Sequence, residues 1–192
     1  EVRALASFSR SGEGLHRYVD PEDGEVYLYT QFEPNDAHRA WPCIDQPDVK
    51  PEWTFHVIAP REWVVSSNGV EVSCEPIQGE ALRHDFSATR PLSSYITAIV
   101  VGPWAIIEGG TWSGGASDGG HAQLALRLLC RRTLARYLDS DDVFEVTRAG
   151  LDFFHERYGV TFPWGSYDQV YVPEYNLGAM ENPGCITFNE SY

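Results

Sequence analysis

Through the first half of the chain the apolar positions recur with a period of two. Between Val26 and Phe32, the residues Val26, Leu28, Thr30 and Phe32 share one face, and Tyr27, Tyr29 and Gln31 share the other. Successive strand side chains point to opposite sides, so this alternation predicts a strand. Trp53 to Ile58, Trp63 to Ser66, Val70 to Val72 and Leu82 to Phe86 carry shorter versions of the pattern, with Ser67-Asn68-Gly69 as a turn between Ser66 and Val70. Tyr95 to Val101 is almost continuously apolar, as a strand covered on both faces would be. Prolines punctuate the gaps and argue against long helices. The period changes after Ser140. Val143, Val146, Gly150, Leu151 and Phe154 fall at helical spacing, with Ser140, Asp141 or Asp142 as the cap, His155 and Arg157 in the last turn and Gly159 as the stop. Strands are predicted on either side, at Gln123 to Cys130 and Asp168 to Val172.

These elements predict a mostly β fold. A β-rich sheet or sandwich over residues 1–121 would be followed by the opening of an α+β domain over 122–192. The boundary is expected at the Ser-Gly-Gly-Ala-Ser-Asp-Gly-Gly stretch of residues 113–120, which is flexible by composition. A length of 192 residues suits one large domain or one and a half ordinary ones, and 43% hydrophobic residues suffice for a core. The balance of 28 acidic against 14 basic residues gives a net charge of −14, which repels phosphate and argues against a nucleic-acid partner. The 4 cysteines, at 43, 74, 130 and 185, form no C-x-x-C, so reduced thiols and a cytoplasmic location are expected. No signal peptide or apolar run of transmembrane length is present, so no membrane partner is expected. The chain begins at Glu1 and ends at Ser191-Tyr192 within an apparent strand end, and both termini are expected to be cut.

The stretch from Asn176 to Gly184 changes the picture. Gly178 and Ala179 carry almost no side chain, so a second backbone can lie against them, as when a peptide adds a strand to an open sheet edge. Glu181 sets a carboxylate at the end of that edge, an arrangement suited to a free α-amine. Gly178-Ala179-Met180-Glu181-Asn182 resembles the G-A-M-E-N motif of the aminopeptidase N family of zinc metallopeptidases. The resemblance covers nearly all of 25–192 and is weakest at 109–121. Gln31-Phe32-Glu33 resembles the family's Q-x-E, followed by a matching Asp36-Ala37-His38-Arg39-Ala40 and Pro42-Cys43. Taken alone, Gln31 and Glu33 read as a polar strand end facing water, and Leu177 and Met180 read equally well as core. The resemblance implies that Glu33 is a second carboxylate for the substrate amine. It implies that Gln31, Leu177 and Met180 line the pocket for the first side chain, and that Tyr192 matches a pocket tyrosine. It also implies that residues 122–192 open a thermolysin-like catalytic domain.

Two carboxylates make chemical sense there. An α-amine has a pKa of about 7.7–8.0 and is largely cationic at neutral pH. At ~4 Å in a half-buried site each opposite charge is worth up to ~4 kcal/mol before desolvation is subtracted. An internal amide lacks that charge. The zinc motif H-E-x-x-H is absent: the His-Glu pair is His155-Glu156, and Gly159 stands where a second histidine would be. The remaining histidines are scattered, so no metal ligand and no catalytic residue is expected in this chain. The sequence also lacks a G-x-S-x-G elbow and a phosphate-binding P-loop. The reading is part of a zinc aminopeptidase whose partners are peptide N-termini and the remainder of the catalytic domain, inactive as an isolated chain. The alternatives are a non-catalytic peptide- or protein-binding module on the same scaffold and the epoxide-hydrolysing branch of the fold.

Overall fold

A computed structural model describes residues 1–114 and 123–192; most of the expected linker, and the expected 121/122 boundary, lie outside the described residues. The elements run β1 (Gly14–Val19), β2 (Val26–Gln31), β3 (His56–Pro60), β4 (Val64–Ser67), β5 (Glu71–Pro76), β6 (Ala81–Phe86), β7 (Ile99–Gly102), β8 (Ala105–Trp112), β9 (Leu124–Cys130), α1 (Ser140–Tyr158), β10 (Ser166–Val172), β11 (Ala179–Met180) and β12 (Cys185–Asn189). The fold is mostly β. A four-stranded sheet has the order β1-β2-β7-β4, a three-stranded one β3-β6-β5, and a five-stranded one β11-β12-β10-β9-β8. The first two are antiparallel throughout; in the third, β10 runs parallel to both β9 and β12.

The layers follow from strand alternation. Val100 of β7 faces the five-stranded sheet, in a core with Tyr27, Tyr29, Leu129, Val170 and Met180. Its neighbour Val101 faces the three-stranded sheet, in a core with Phe55, Val65 and Phe86. On β9, Leu129 joins the first of these cores, while Leu124, Leu126 and Leu128 pack beneath α1 with Trp112 and Phe144. The four-stranded sheet is thus covered on both faces. β8 and β9, which flank the linker region, pair with each other in the five-stranded sheet.

Four local expectations are corrected. The continuous apolar run at 95–101 is only partly strand: residues 94–96 form a 3-10 turn, and β7 starts at Ile99. Asn68-Gly69 does not close a hairpin, because β4 and β5 belong to different sheets. Asn68 instead uses its whole amide as a clamp, accepting from the Ala98 N–H at 2.6 Å and donating to the carbonyls of Ile96 and Pro183 at 3.0 Å each. The α1 cap is Asp139, whose carboxylate accepts from the Asp142 N–H, one residue before the expected range. Gly159 ends the helix in the left-handed conformation, as expected. The buried helix face is also rotated. Phe144 is the anchor, with its ring where a Cβ on Gly109 would stand, while Val146 and Phe154 are 64% and 56% exposed. A period of 3.6 identifies a helix but not which of two apolar stripes meets the sheet.

Two polar ties cross the layers. Asp168, buried on β10, accepts from Arg127 through both Nε and Nη2 and from the Ser66 hydroxyl of the four-stranded sheet at 2.6 Å. Arg131, just past β9, pairs with Glu190 and with the buried Asp20 of the β1–β2 turn, which Thr133 also holds. Burial alone would raise the Asp20 carboxyl, but the Glu22 N–H, the Thr133 hydroxyl and Arg131 outweigh it and hold it below the ordinary value.

Arg127→Ala leaves Asp168 buried without its cation and should cost about 3 kcal/mol in urea unfolding. Because Asp20 is depressed in the folded state, its stabilisation is complete above the ordinary carboxylate pKa of about 4 and is lost as pH falls through the folded value. Unfolding free energies measured between pH 6 and 2.5 should therefore drop more steeply in the native chain than in Asp20→Asn.

Candidate functional site

β11 is the outermost strand of its sheet. Ala179 lies opposite Phe188, Met180 lies opposite Thr187, and the Gly178 carbonyl accepts from the Asn189 N–H at 2.8 Å. Among the described residues no strand pairs with its other side. A Cβ on Gly178 would stand 2.8 Å from the hydroxyl of the exposed Tyr192, so that side chain lies over the bare backbone. A cavity of about 690 Å³ adjoins Gly178 and Ala179, with Tyr171, Phe188 and Tyr192 among its aromatic walls and Asp139 and Asp142 among its polar ones. The turn after the strand is equally tight. Gly184, at φ 80°, has the Asn68 carbonyl 2.7 Å from its Cβ position, so the Asn68 clamp presses directly on the end of the motif.

The predicted pocket residues divide by exposure. Glu181 and Glu33 are exposed, Leu177 is half-buried, and Tyr192 is exposed. Met180 points into the core and is 2% exposed, packed with Tyr29, Tyr175 and Val170. Gln31 is buried at the end of β2.

Gln31 is reached through a seam. The Tyr27 hydroxyl accepts from the Arg132 N–H at 3.2 Å, the Tyr29 hydroxyl donates to the Pro173 carbonyl at 2.9 Å, and the Tyr175 hydroxyl donates to Gln31 Oε1 at 2.9 Å. Alternate residues of β2 thus each make one bond to the unit that carries the motif. Tyr175 Oη also lies 2.7 Å from Thr187 Oγ1, which accepts from Asn182 Nδ2 at 3.2 Å. The Tyr175 proton is committed to Gln31, so Thr187 donates to Tyr175. The chain of donors runs one way, from Asn182 through Thr187 and Tyr175 to Gln31, and all four side chains are buried.

The Tyr175 hydroxyl is also shifted by its surroundings. Burial pushes it well above the ordinary tyrosine value. The Thr187 hydrogen bond partly offsets this, and the charges of Cys185, Glu181 and Glu33 add to it.

The connection before Tyr175 is held from the other side. Glu174 sits at φ 52°, a conformation that costs a side-chain-bearing residue of order 1–3 kcal/mol and persists only where its surroundings over-determine it. They do so here. Glu174 Oε2 pairs with His16 Nε2 at 3.2 Å, His16 Nδ1 accepts from the Gly12 N–H at 3.0 Å, and Asn176 Nδ2 donates to the Ser11 carbonyl at 2.6 Å. Burial lowers the His16 pKa, and Glu174 opposes that only in part, so the ring is a neutral strut that donates through Nε2. His16, Glu174, Tyr175 and Thr187 were not singled out from the sequence. The usable signal was the Tyr27-Tyr29-Gln31 face itself: three polar-tipped side chains on a covered strand face each need a partner.

Comparison with known proteins agrees with the motif reading. The model of the peptidase M1 N-terminal domain matches residues 5–96, and that of the peptidase family M1 domain matches residues 143–192. An aminopeptidase N of Streptomyces lividans is 42% identical over 191 residues, covering 100% of this chain and 21% of its own length. An aminopeptidase N of Haemonchus contortus is 29% identical over 198 residues, covering 100% and 19%. A probable M1 family aminopeptidase 1 of Encephalitozoon cuniculi is 35% identical over 187 residues, covering 91% and 19%. The chain spans about a fifth of the length of these relatives.

M1 family aminopeptidases are zinc metallopeptidases, but the residues described here do not fit that ion beside the motif. His155 packs edge-on against Trp112, and no histidine follows it at helical spacing. Among the described residues, the one group of three or more side chains close enough to share a metal is Glu71, Cys74 and His84, in the three-stranded sheet.

Tyr175→Phe removes the shared hydroxyl and leaves Gln31 and Thr187 buried without it. We expect a loss of about 1–3 kcal/mol by chemical denaturation. Adding Gln31→Leu should cost less than the two single changes summed, since the orphaned acceptor is then gone.

Proposed function

The chain belongs to the peptidase M1 family, and on that premise we propose that it forms the amine-recognition part of a zinc aminopeptidase that removes N-terminal residues from peptides. The observation that carries the proposal is the edge strand β11: among the described residues no strand pairs with its outer side, and the Glu181 carboxylate follows it directly.

In this reading Glu33 and Glu181 share the cationic amine of the substrate. The Gly178–Ala179 backbone takes the peptide as an added strand, because neither residue carries more than a methyl group and the exposed Tyr192 side chain over Gly178 can swing aside. Gln31 and Leu177 form walls for the first side chain and Tyr192 a movable one; Met180 backs them from the core. The one-way donor chain holds the Gln31 carboxamide in a single orientation. Two anions beside the edge also set a distance, since an anchored amine presents the first peptide bond at the same place each time. Acetylating the amine removes the charge and leaves two carboxylates to be desolvated unpaired.

Zinc, when bound in the whole enzyme, supplies Lewis acidity toward the scissile carbonyl; we assign its ligands to residues other than those described here. The remainder of the catalytic domain is the expected partner. Four free cysteines, two of them buried, suit a reducing compartment, and we place the enzyme in the cytoplasm on that ground. Among the described residues no helix is long and apolar enough to cross a membrane.

In the full-length parent enzyme, Glu33→Gln or Glu181→Gln should lower kcat/KM for free-amine peptides about 30- to 150-fold, mainly through KM. That range corresponds to roughly 2–3 kcal/mol of a Coulombic contribution bounded near 4. Unchanged kinetics in both variants would overturn the two-carboxylate reading. Assayed alone with added zinc against an amino-acid anilide, this chain should show no turnover.

A further inference from the structure

The three-stranded sheet lies away from the motif and takes no part in the proposed chemistry, yet it gathers a nitrogen, a sulfur and an oxygen donor. Cys74 on β5 is directly opposite His84 on β6 in the strand register, so both side chains leave the same face of the sheet. Glu71 lies at the start of β5, before an irregularity in the pairing, and its Oε1 is 2.6 Å from His84 Nδ1. One donor atom from each of the three lies within 4.8 Å of the other two.

The histidine is fixed behind the other two donors. The His84 side chain is more than nine-tenths buried, and its Nε2 has no hydrogen-bond partner among the described residues. Glu71 Oε1 meets the ring at Nδ1, so Nδ1 is the nitrogen that faces the group, and Nε2 lies across the ring from it. Cys74 and Glu71, by contrast, are exposed, so the group is open to solvent on one side.

We infer that Glu71, Cys74 and His84 form a surface site for a divalent transition cation of the zinc class, with three protein ligands and an open position for water. The donor set is of the thiolate, imidazole and carboxylate kind that such ions take. Ligands about 2.0–2.3 Å from a tetrahedral ion stand roughly 3.5 Å apart. Closing from 4.8 Å asks for about 1 Å of movement, and two of the three side chains are exposed and free to supply it. On binding, the Cys74 thiol gives its proton to solvent. The imidazole keeps one proton, on whichever nitrogen does not ligate, so affinity falls as pH falls.

The test is a titration of this chain with Co2+, which reports thiolate ligation by a charge-transfer absorption. One equivalent should bind with that band, and Zn2+ should displace it. Cys74→Ser should abolish the band, and Glu71→Gln should weaken binding about tenfold. Cys43→Ser should keep the band, as should any change at Glu33 or Glu181. Cys74 is exposed, so its substitution tests the site without threatening the fold, which circular dichroism verifies; His84→Gln supplies a second loss. Absence of the charge-transfer band, or its survival in Cys74→Ser, overturns the assignment. Because the readout is metal binding on a different sheet, failure here leaves the amine-recognition proposal untouched, and the reverse holds too.

Discussion

Everything about this molecule that bears on function depends on one covered strand face. Tyr27, Tyr29 and Gln31 alternate along β2, and each sends a polar tip across the layer boundary to the segment that carries the motif. Their rings and methylenes fill the core between two sheets, while their end groups hydrogen-bond where no water competes. Because a strand repeats every two residues at a rise of about 3.3 Å, these three contacts set the register of one sheet against the other. A slip of one residue would put Leu28 and Thr30 at the seam and break all three bonds.

That register decides where the charges stand. Glu33 follows β2 by two residues and Glu181 follows β11 by one, so each carboxylate is placed by the strand before it. The strands are held by polar struts at several points: Asn68 against Pro183, His16 against Glu174, and Arg131 between Asp20 and Glu190. These ties lock a connection strained at Glu174 next to an edge strand of only two residues. A short edge strand has little stability of its own, and here it is kept in place by what surrounds it. An exposed edge that must accept a peptide, yet not pair indiscriminately, is well served by being this short.

Much of this was legible in the linear pattern. The alternating runs identified the strands, and Gly159 and the acidic first turn identified the helix. Gly178 and Ala179 were recognisable as a bare edge because small side chains are a local property. The errors have local causes too. Asn68-Gly69 carries the signature of a tight turn whether the flanking strands pair with each other or with different sheets, and only the sheets decide. The helix had two candidate apolar stripes, and the one that docks is the one whose Phe144 fits over Gly109, a residue on a distant strand.

What the sequence determined by itself, then, was the type of each element and the bare edge, because these follow from side-chain size and periodicity read over a few neighbours; Glu33 was singled out by its resemblance to the family's Q-x-E. What only the tertiary structure decided was the company these residues keep: that Met180 turns inward, that Tyr175 links Gln31 to Thr187, and that Tyr29 reaches the Pro173 carbonyl. Those are contacts between residues up to about 150 positions apart. They depend on the packing angle and register of whole sheets, which no short window of sequence encodes.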